Sequence, residues 1–236
     1  MPTITLKGNI FTTQCQTLVN TVNCVGVMGA GIALECRLRY PEMYDRYAAI
    51  CENGQLDIGK LWLFKATDRW VLNFPTKKDW KFPSKPAYLH AGLKKFRETY
   101  EARGIQSIAF PVLGASKGGL PEDASLDIMH THLDDLPLSI EIYRYDPSAE
   151  DDLYMETRNW LVSQDIGELV SITGIKKNYL QLVVDAMKQN QVCQLNQLIQ
   201  LPGIGLKTLE KVFRAAQSAQ SPNRSVDELK QQLSLI

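Results

Sequence analysis

The segment from Thr17 to Tyr40 constrains the fold more than any other part of this sequence. Its first residues, Thr17–Val22, are typical of a buried strand, and the glycine-rich run N-C-V-G-V-M-G-A-G follows. Apolar spacing after Gly31 then predicts a helix that ends before Pro41. Glycines let a backbone approach a ligand closely, and free N–H groups at a helix start attract anions. This order predicts a site for a diphosphate, although the glycine spacing matches neither the dinucleotide-binding fingerprint nor a P-loop.

A second segment repeats the same plan. The stretch Ser107–Val112 predicts a strand, and a glycine-rich loop follows at Gly114–Leu120. A helix is predicted to begin near Pro121, where Glu122 and Asp123 suit the positive end of the helix. Two such loops in one domain can hold a diphosphate from both sides. The alternative is a pair of unrelated tight turns.

Predicted strands and helices alternate up to about Tyr145, which indicates an α/β domain with helices covering a mixed sheet. Ligands of such folds bind at the carboxyl ends of strands, where both glycine loops lie. The predicted strands are Thr3–Lys7, Thr17–Val22, Leu61–Ala66, Trp70–Phe74, Ser107–Val112 and Ser139–Tyr145. The predicted helices are Gly31–Tyr40, Glu42–Asn53, Pro86–Arg103 and Pro121–Leu133.

A polar stretch broken by proline, Asp146–Asp152, predicts a boundary between a domain at 1–146 and a small all-helical domain at 151–236. The helical part contains an internal repeat. The run L-V-S-I-T-G-I at 169–175 is echoed by L-I-Q-L-P-G-I at 198–204. We interpret the repeat as two short helix–turn–helix units.

The second of these units resembles the helix-hairpin-helix element. In that element a glycine hairpin presents backbone N–H groups to a DNA phosphate without reading sequence. The residues expected to contact DNA are Gly203, Gly205 and Lys207. The alternative is a helical bundle that braces the first domain or binds a protein. A last helix is predicted to begin at Ser225.

The composition favours a globular cytoplasmic protein. No apolar run approaches the roughly 20 residues that a membrane span needs, and the start of the chain lacks the pattern of a signal peptide. Five scattered cysteines without C-x-x-C spacing indicate reduced thiols, and three histidines make a metal site unexpected. No cofactor is expected either. Because the net charge is zero, a nucleic-acid surface has to be local.

A third candidate segment is N-F-P-T-K-K-D-W at 73–80. A predicted strand ends here and places Thr76 and Lys77 at its carboxyl end. A lysine at such a position acts as a nucleophile, if its surroundings favour the neutral amine, or as an anion clamp. On the residues alone, a solvated pair of lysines on a turn, Lys77 and Lys78, stays open as the alternative.

Together these segments resemble a macrodomain, the α/β module that binds ADP-ribose. The resemblance covers about residues 2–146 and includes G-N-I at 8–10, both glycine loops and the P-T-K run. Within that family, V-N-T-V-N-C-V-G-V-M-G-A-G-I-A and N-F-P-T-K-K-D-W are similar to the DNA ADP-ribosyl glycohydrolase antitoxins of the DarG type. The resemblance implies an enzyme that removes ADP-ribose from DNA bases. Its partners would be ADP-ribosylated DNA, expected to be single-stranded, and a toxin that is a DNA ADP-ribosyltransferase.

The resemblance also implies roles for individual residues. Lys77 would be the catalytic lysine and would act at the anomeric carbon, with Asn23 placed for the distal ribose. Asn9 and Ile10 would contact the adenine. Asn20 would bind ADP-ribose, and the alternative for Asn20 is a structural role in closing a loop. The full set expected to bind ADP-ribose is Asn9, Ile10, Asn20, Gly26, Val27, Met28, Gly29, Ala30, Gly31, Ile32, Thr76, Gly114, Ala115, Ser116, Lys117, Gly118, Gly119 and Leu120.

The sequence departs from the family pattern at four places. Ala30 stands where many relatives carry lysine, and Ser116-Lys117 replaces the more usual Gly-Leu. Gly118 stands where the related terminal ADP-ribose glycohydrolases carry a catalytic aspartate, and Glu122 replaces a common tryptophan. Two other functions therefore stay open: a reader that binds ADP-ribose without turnover, and an ADP-ribose 1″-phosphate phosphatase.

Overall fold

The computed structural model of the chain describes residues 3–219, so the helix predicted to begin at Ser225 lies outside the described residues. The chain divides into two units, and the boundary between them lies after Asp146. No helix of the described residues is long and apolar enough to cross a membrane.

The first unit is a six-stranded mixed sheet flanked by helices, which confirms the predicted α/β architecture. Its strands are β1 (Ile4–Gly8), β2 (Thr17–Val22), β3 (Trp62–Lys65), β4 (Trp70–Pro75), β5 (Ser107–Pro111) and β6 (Ser139–Tyr145). Its helices are α1 (Gly31–Arg39), α2 (Pro41–Glu52), α3 (Pro86–Arg103) and α4 (Glu122–Leu133). The strand order is β1-β6-β5-β2-β4-β3, and β3 alone in this sheet runs antiparallel to its neighbour.

Helices cover both faces of the sheet, so the central strands are apolar on both sides. Successive residues of a strand point to opposite faces. Val19 and Leu72 accordingly lie in the core that α3 and α4 cover, whereas Leu18 and Val71 lie in the core that α1 and α2 cover. Because β2, β4 and β5 are parallel, their carboxyl ends meet at one edge of the sheet. Both glycine loops and the segment after Pro75 begin at that edge.

The second unit is helical. It contains α5 (Tyr154–Ser163), α6 (Ile166–Thr173), α7 (Lys177–Lys188) and α8 (Leu206–Ala219), with a 3₁₀ helix at Leu195–Gln200. The repeated apolar positions are buried, namely Leu169, Leu180, Val183, Leu198, Leu209 and Val212.

One part of the repeat differs from the prediction. The second helix–turn–helix unit was expected to have two α-helices, but the 3₁₀ helix Leu195–Gln200 takes the place of its first. Proline disfavours helical geometry in the residue before it, and Leu201, which precedes Pro202, is extended with ψ 133°. The helix therefore ends within six residues, too few for a regular α-helix to be stable.

Candidate functional site

The first glycine loop, residues 23–30, is shaped by the side chain of Asn23. Its Oδ1 accepts the N–H groups of Val25 at 3.0 Å and Val27 at 3.2 Å, and its Nδ2 donates to the carbonyl oxygen of Val27. The Tyr47 hydroxyl donates to the Asn23 carbonyl oxygen at 2.8 Å. Burial raises the pKa of Tyr47 far above its usual value, so this hydroxyl stays a donor. Asn23 thus positions the loop, and its contact with a ribose stays a prediction.

The outer part of this loop is open to solvent. Val25 and Val27 are exposed, and so are Gly29 and Ala30. At the start of α1, Ala30 is the N-cap residue and offers no side-chain hydrogen bond. The first N–H groups of α1 are therefore not capped by a side chain, and such groups favour an anion. This geometry suits a diphosphate held against the loop.

Two predicted ligand residues lie beneath the loop instead of facing outward. Asn20 and Met28 are both fully buried. The Asn20 Nδ2 donates to Asn73 Oδ1 at 2.9 Å and lies 3.9 Å from the Met28 sulfur. These contacts favour a structural role for Asn20, and its binding of ADP-ribose stays a prediction. Met28 fills the core, so in this conformation its backbone alone, and not its side chain, is available to a ligand.

The second glycine loop, residues 114–120, is a tight turn stacked on Ser84. Gly114 has a φ of +66°, and a Cβ there would lie 3.1 Å from Ser84 Cβ. Gly118 is buried, and a Cβ there would lie 2.9 Å from Ser84 Oγ. Ser116 adopts a positive φ of 47° although it is not glycine. The loop presents the exposed Lys117 on its outer side, which gives the site a positive charge.

Lys77 joins the two halves of the site. Thr76, directly after β4, is buried and its N–H donates to the Val22 carbonyl at 2.9 Å. The half-buried Lys77 then extends its Nζ to the carbonyl oxygen of Lys117 at 2.6 Å. The next residue, Lys78, accepts the Cys24 N–H at 3.0 Å. The lysine singled out from sequence therefore lies against the second loop, while its own segment is bonded to the first.

The end of β1 supplies another polar group to the carboxyl edge of the sheet. Asn9 is buried, and its Oδ1 accepts the Phe11 N–H at 3.1 Å. Its Nδ2 has no hydrogen-bond partner among the described residues. A buried donor of this kind is costly unless something satisfies it. Ile10 beside it is also buried.

Sequence reasoning missed three residues of this site. Tyr47 and Ser84 each support a glycine loop from a distant part of the chain, and Asn73 in β4 accepts a hydrogen bond from Asn20 in β2. Tyr47 and Ser84 belong to no recognisable motif, whereas Asn73 begins the segment at 73–80, where a polar residue within an apolar strand is a signal of such a role.

The predicted DNA-contacting residues form the hairpin between the 3₁₀ helix and α8 in the second unit. Gly203 has a φ of +88°, and a Cβ on Gly205 would have no other atom within 4 Å. Both glycines and Lys207 are exposed. Lys211 instead points to the turn between α6 and α7, where its Nζ donates to the Gly174 carbonyl oxygen.

Comparison with known proteins places the first unit in a family. The Macro domain family model matches residues 19–129. A curated DNA ADP-ribosyl glycohydrolase of Thermus aquaticus is 38% identical over 146 residues, which is 60% of this chain and 40% of that protein. The Mycobacterium tuberculosis protein of the same name is 44% identical over 118 residues, 48% of this chain and 34% of its own length. The chain thus spans less than half the length of these curated relatives.

Solved structures of similar proteins lead to the same family. The macrodomain of Mycobacterium tuberculosis DarG superposes with a TM-score of 0.58 at 39% identity, covering 60% of this chain and 96% of that one. Thermosipho africanus DarTG, solved in complex with ADP-ribose, superposes with a TM-score of 0.56 at 33% identity. The match covers 59% of this chain and 40% of that one. The resemblance found in the sequence is confirmed: the chain belongs to the macrodomain family, and its first unit is a macrodomain of the DarG type.

Proposed function

We propose that this chain is a DNA ADP-ribosyl glycohydrolase, which removes ADP-ribose from DNA bases and thereby counteracts a DNA ADP-ribosyltransferase toxin. The observation that carries the proposal is the position of the Lys77 amine, 2.6 Å from the Lys117 carbonyl at the second of two glycine loops. Relatives named DNA ADP-ribosyl glycohydrolase support the activity, and a Thermosipho africanus fusion protein that joins a DNA ADP-ribosyl transferase to such a glycohydrolase supports the partner. A DNA substrate also favours the cytoplasm as the place of action.

In this proposal the two loops hold the ligand and the neighbouring strand ends orient it. Backbone N–H groups at the start of α1 and in the two loops that no internal hydrogen bond uses bind the diphosphate; the N–H groups of Val27 and of residues 118–120 are already bonded within the loops. Lys117 adds a positive charge from the second loop. The unsatisfied Nδ2 of Asn9 is a donor for the adenine base. Asn23 acts through the loop that it shapes.

Lys77 then acts at the anomeric carbon of the distal ribose. Cleavage of the bond between that carbon and the base builds positive character on the sugar, as in other glycosidic cleavages. A neutral Lys77 amine attacks the anomeric carbon while the bond to the base breaks, and the base leaves with the electron pair and takes up a proton. Water then displaces the amine, which restores Lys77 and releases ADP-ribose. The Lys117 carbonyl keeps the amine oriented before the attack.

The second unit would hold the DNA. In this proposal the exposed Gly203 and Gly205 offer N–H groups to a phosphate, and Lys207 follows at the start of α8. The competing role is binding of the partner toxin. A cavity of about 340 Å³ beside the hairpin, lined in part by Leu182 and Pro202, favours that second role.

Release of ADP-ribose from different substrates tests the proposal. We expect the chain to release ADP-ribose from ADP-ribosylated single-stranded DNA and to leave ADP-ribosylated protein largely intact. Tight ADP-ribose binding without any release from DNA would point to a reader. Release of inorganic phosphate from ADP-ribose 1″-phosphate at a higher rate than release from DNA would point to the phosphatase.

A further inference from the structure

Two aromatic side chains next to the candidate catalytic lysine are exposed. Trp80 is 52% exposed and Phe82 is 64% exposed. Aromatic rings of this size are usually buried. Two of them within three residues form an apolar surface that calls for a partner.

The segment that carries these rings is held in place at both ends. The Lys78 carbonyl is bonded to the Cys24 N–H at 3.0 Å, and the Ser84 N–H donates to the Gly118 carbonyl at 2.8 Å. Between these anchors, Asp79 closes a turn, since its carbonyl accepts the Phe82 N–H at 3.2 Å. The rings therefore project from an ordered turn. Because this surface is already ordered, little conformational entropy is lost when a partner stacks on the rings.

Lysines alternate with the rings. Lys78, Lys81 and Lys85 are all exposed. The Lys81 Nζ lies 5.6 Å from the centre of the Trp80 ring. Neither Lys81 nor Lys85 forms an ion pair among the described residues, whereas Lys78 lies 3.7 Å from the Asp57 carboxylate. We call residues 78–85 the aromatic–basic segment.

We propose that the aromatic–basic segment receives the single-stranded DNA of the substrate, with bases stacked on Trp80 and Phe82 and phosphates near Lys81 and Lys85. This inference rests on the proposed function, because that function fixes where the modified base lies. The base is joined to the ribose at which Lys77 acts, so the adjoining nucleotides leave the site beside residues 78–85.

The chemistry of the segment selects this partner. Exposed aromatic rings interleaved with cations bind single strands of any sequence, because every base offers a face for stacking and every nucleotide a phosphate. In a duplex the bases are already stacked on one another, so a duplex gains nothing from Trp80 or Phe82. The segment therefore favours single-stranded over double-stranded DNA.

Fluorescence tests the surface without requiring catalysis. An unmodified thymidine oligonucleotide of about ten nucleotides should quench the tryptophan fluorescence of the full chain, and the quenching should disappear in Trp80→Phe. A duplex of the same length should quench less. Equal quenching in the wild type and in Trp80→Phe would overturn the proposal. This test stands even if the wild type proves unable to release ADP-ribose, so a failure of the proposed function is distinguishable from a failure of this inference.

Steady-state kinetics test whether the aromatic–basic segment contributes to binding of the ADP-ribosylated DNA substrate. In the double variant Trp80→Ala, Phe82→Ala we expect the KM for an ADP-ribosylated oligonucleotide to rise at least about thirtyfold, as loss of two stacked bases predicts. Affinity for free ADP-ribose, which also reports a correct fold, should stay within twofold. Lys81→Glu with Lys85→Glu should raise the KM as well, while the control Lys94→Glu, an exposed lysine on α3, should not. An unchanged KM in the aromatic variant, or an equal loss of affinity for free ADP-ribose, would overturn the assignment to DNA.

Discussion

The side-chain amine of Lys77 donates a hydrogen bond to the backbone carbonyl of Lys117, 2.6 Å away and forty residues later in the chain. This bond makes the position of the amine depend on the conformation of the second glycine loop. In the proposed function, the backbone of this one loop therefore both binds the diphosphate and positions the Lys77 amine.

Replacing Lys77 should separate binding from turnover. Lys77→Ala should abolish release of ADP-ribose from DNA, because it removes the amine that attacks the anomeric carbon in the proposed mechanism. Its affinity for ADP-ribose should change by no more than about tenfold, or ~1.4 kcal/mol. Lys78→Ala is the matched control, since the Lys78 amine faces Asp57, and it should keep most of the activity. Calorimetry and a release assay measure the two effects, and full activity in Lys77→Ala would refute the lysine mechanism.

The first glycine loop offers a clean test of diphosphate binding. A Cβ at Gly29 would meet nothing closer than Val27 Cγ1 at 3.7 Å, so the loop accommodates a side chain there. Gly29→Ala should therefore bind ADP-ribose nearly as well as the wild type. Gly29→Glu places a negative charge against the diphosphate and should weaken binding by more than tenfold. Equal affinities of the two variants in calorimetry would move the diphosphate away from this loop.

Tyr47 should matter for binding although it lies beneath the loop. Its hydroxyl donates to the Asn23 carbonyl at 2.8 Å, and Tyr47→Phe leaves that buried carbonyl without this donor. We expect a loss of about 1–3 kcal/mol in the free energy of unfolding, together with weaker ADP-ribose binding. The control is Tyr44→Phe on the same helix, a half-buried tyrosine whose ring faces Arg37. Urea titration and calorimetry on both variants distinguish loop positioning from a general loss of packing.

The contact between α3 and α4 should respond to acid. His90 Nδ1 lies 2.9 Å from His132 Nε2, and burial, His90 and Arg97 together lower the pKa of His132 against the opposing effect of Asp135. Below the ordinary histidine pKa of about 6.5, the unfolded chain takes up a proton that the folded chain resists, so stability falls as pH falls. His132→Asn should lose less stability than the wild type between about pH 7.5 and 5.5.

Denaturant midpoints at the two pH values measure this effect. His130→Asn serves as the control, because His130 pairs with Asp134 at the end of its own helix and not with His90. An identical decline in His132→Asn and the wild type would show that the histidine contact contributes nothing to the acid response.

The hairpin of the second unit can be tested by charge alone. Gly203 has a positive φ of 88°, which asparagine and aspartate tolerate better than most residues. Gly203→Asp should weaken DNA binding at low salt by about 1–3 kcal/mol relative to Gly203→Asn, as expected for spoiling a charged hydrogen bond. The difference should shrink as salt rises, because phosphate contacts release counterions. Fluorescence anisotropy measures both; equal binding by the two variants, with a stable toxin complex, would assign the hairpin to protein binding.

Much of the first unit could be read from its sequence. The bounds of β2, β6 and α3 agree residue for residue with prediction, because strong apolar periodicity and a proline or polar break mark each end. The glycine loops were found because glycine spacing is a local signal. Burial of the Met28 side chain was not predictable, since sequence does not say which side of a loop faces inward. Asn20, in contrast, lies in the strand Thr17–Val22, which the sequence predicts to be buried. The Lys77 contact with Lys117 joins two loops that are distant in sequence, and no local pattern encodes it.

Ser84 beneath Gly118 has a consequence for substitutions at position 118. An aspartate at position 118, as in the related glycohydrolases that carry one there, would bring its Cβ to 2.9 Å from the Ser84 hydroxyl oxygen unless that side chain turned away. The Ser84 hydroxyl is the end of a short side chain that one rotation moves away, and its oxygen has no hydrogen-bond partner to lose among the described residues. A side chain at position 118 is therefore accommodated by a rotation of Ser84, so the conformations of these two residues would be coupled.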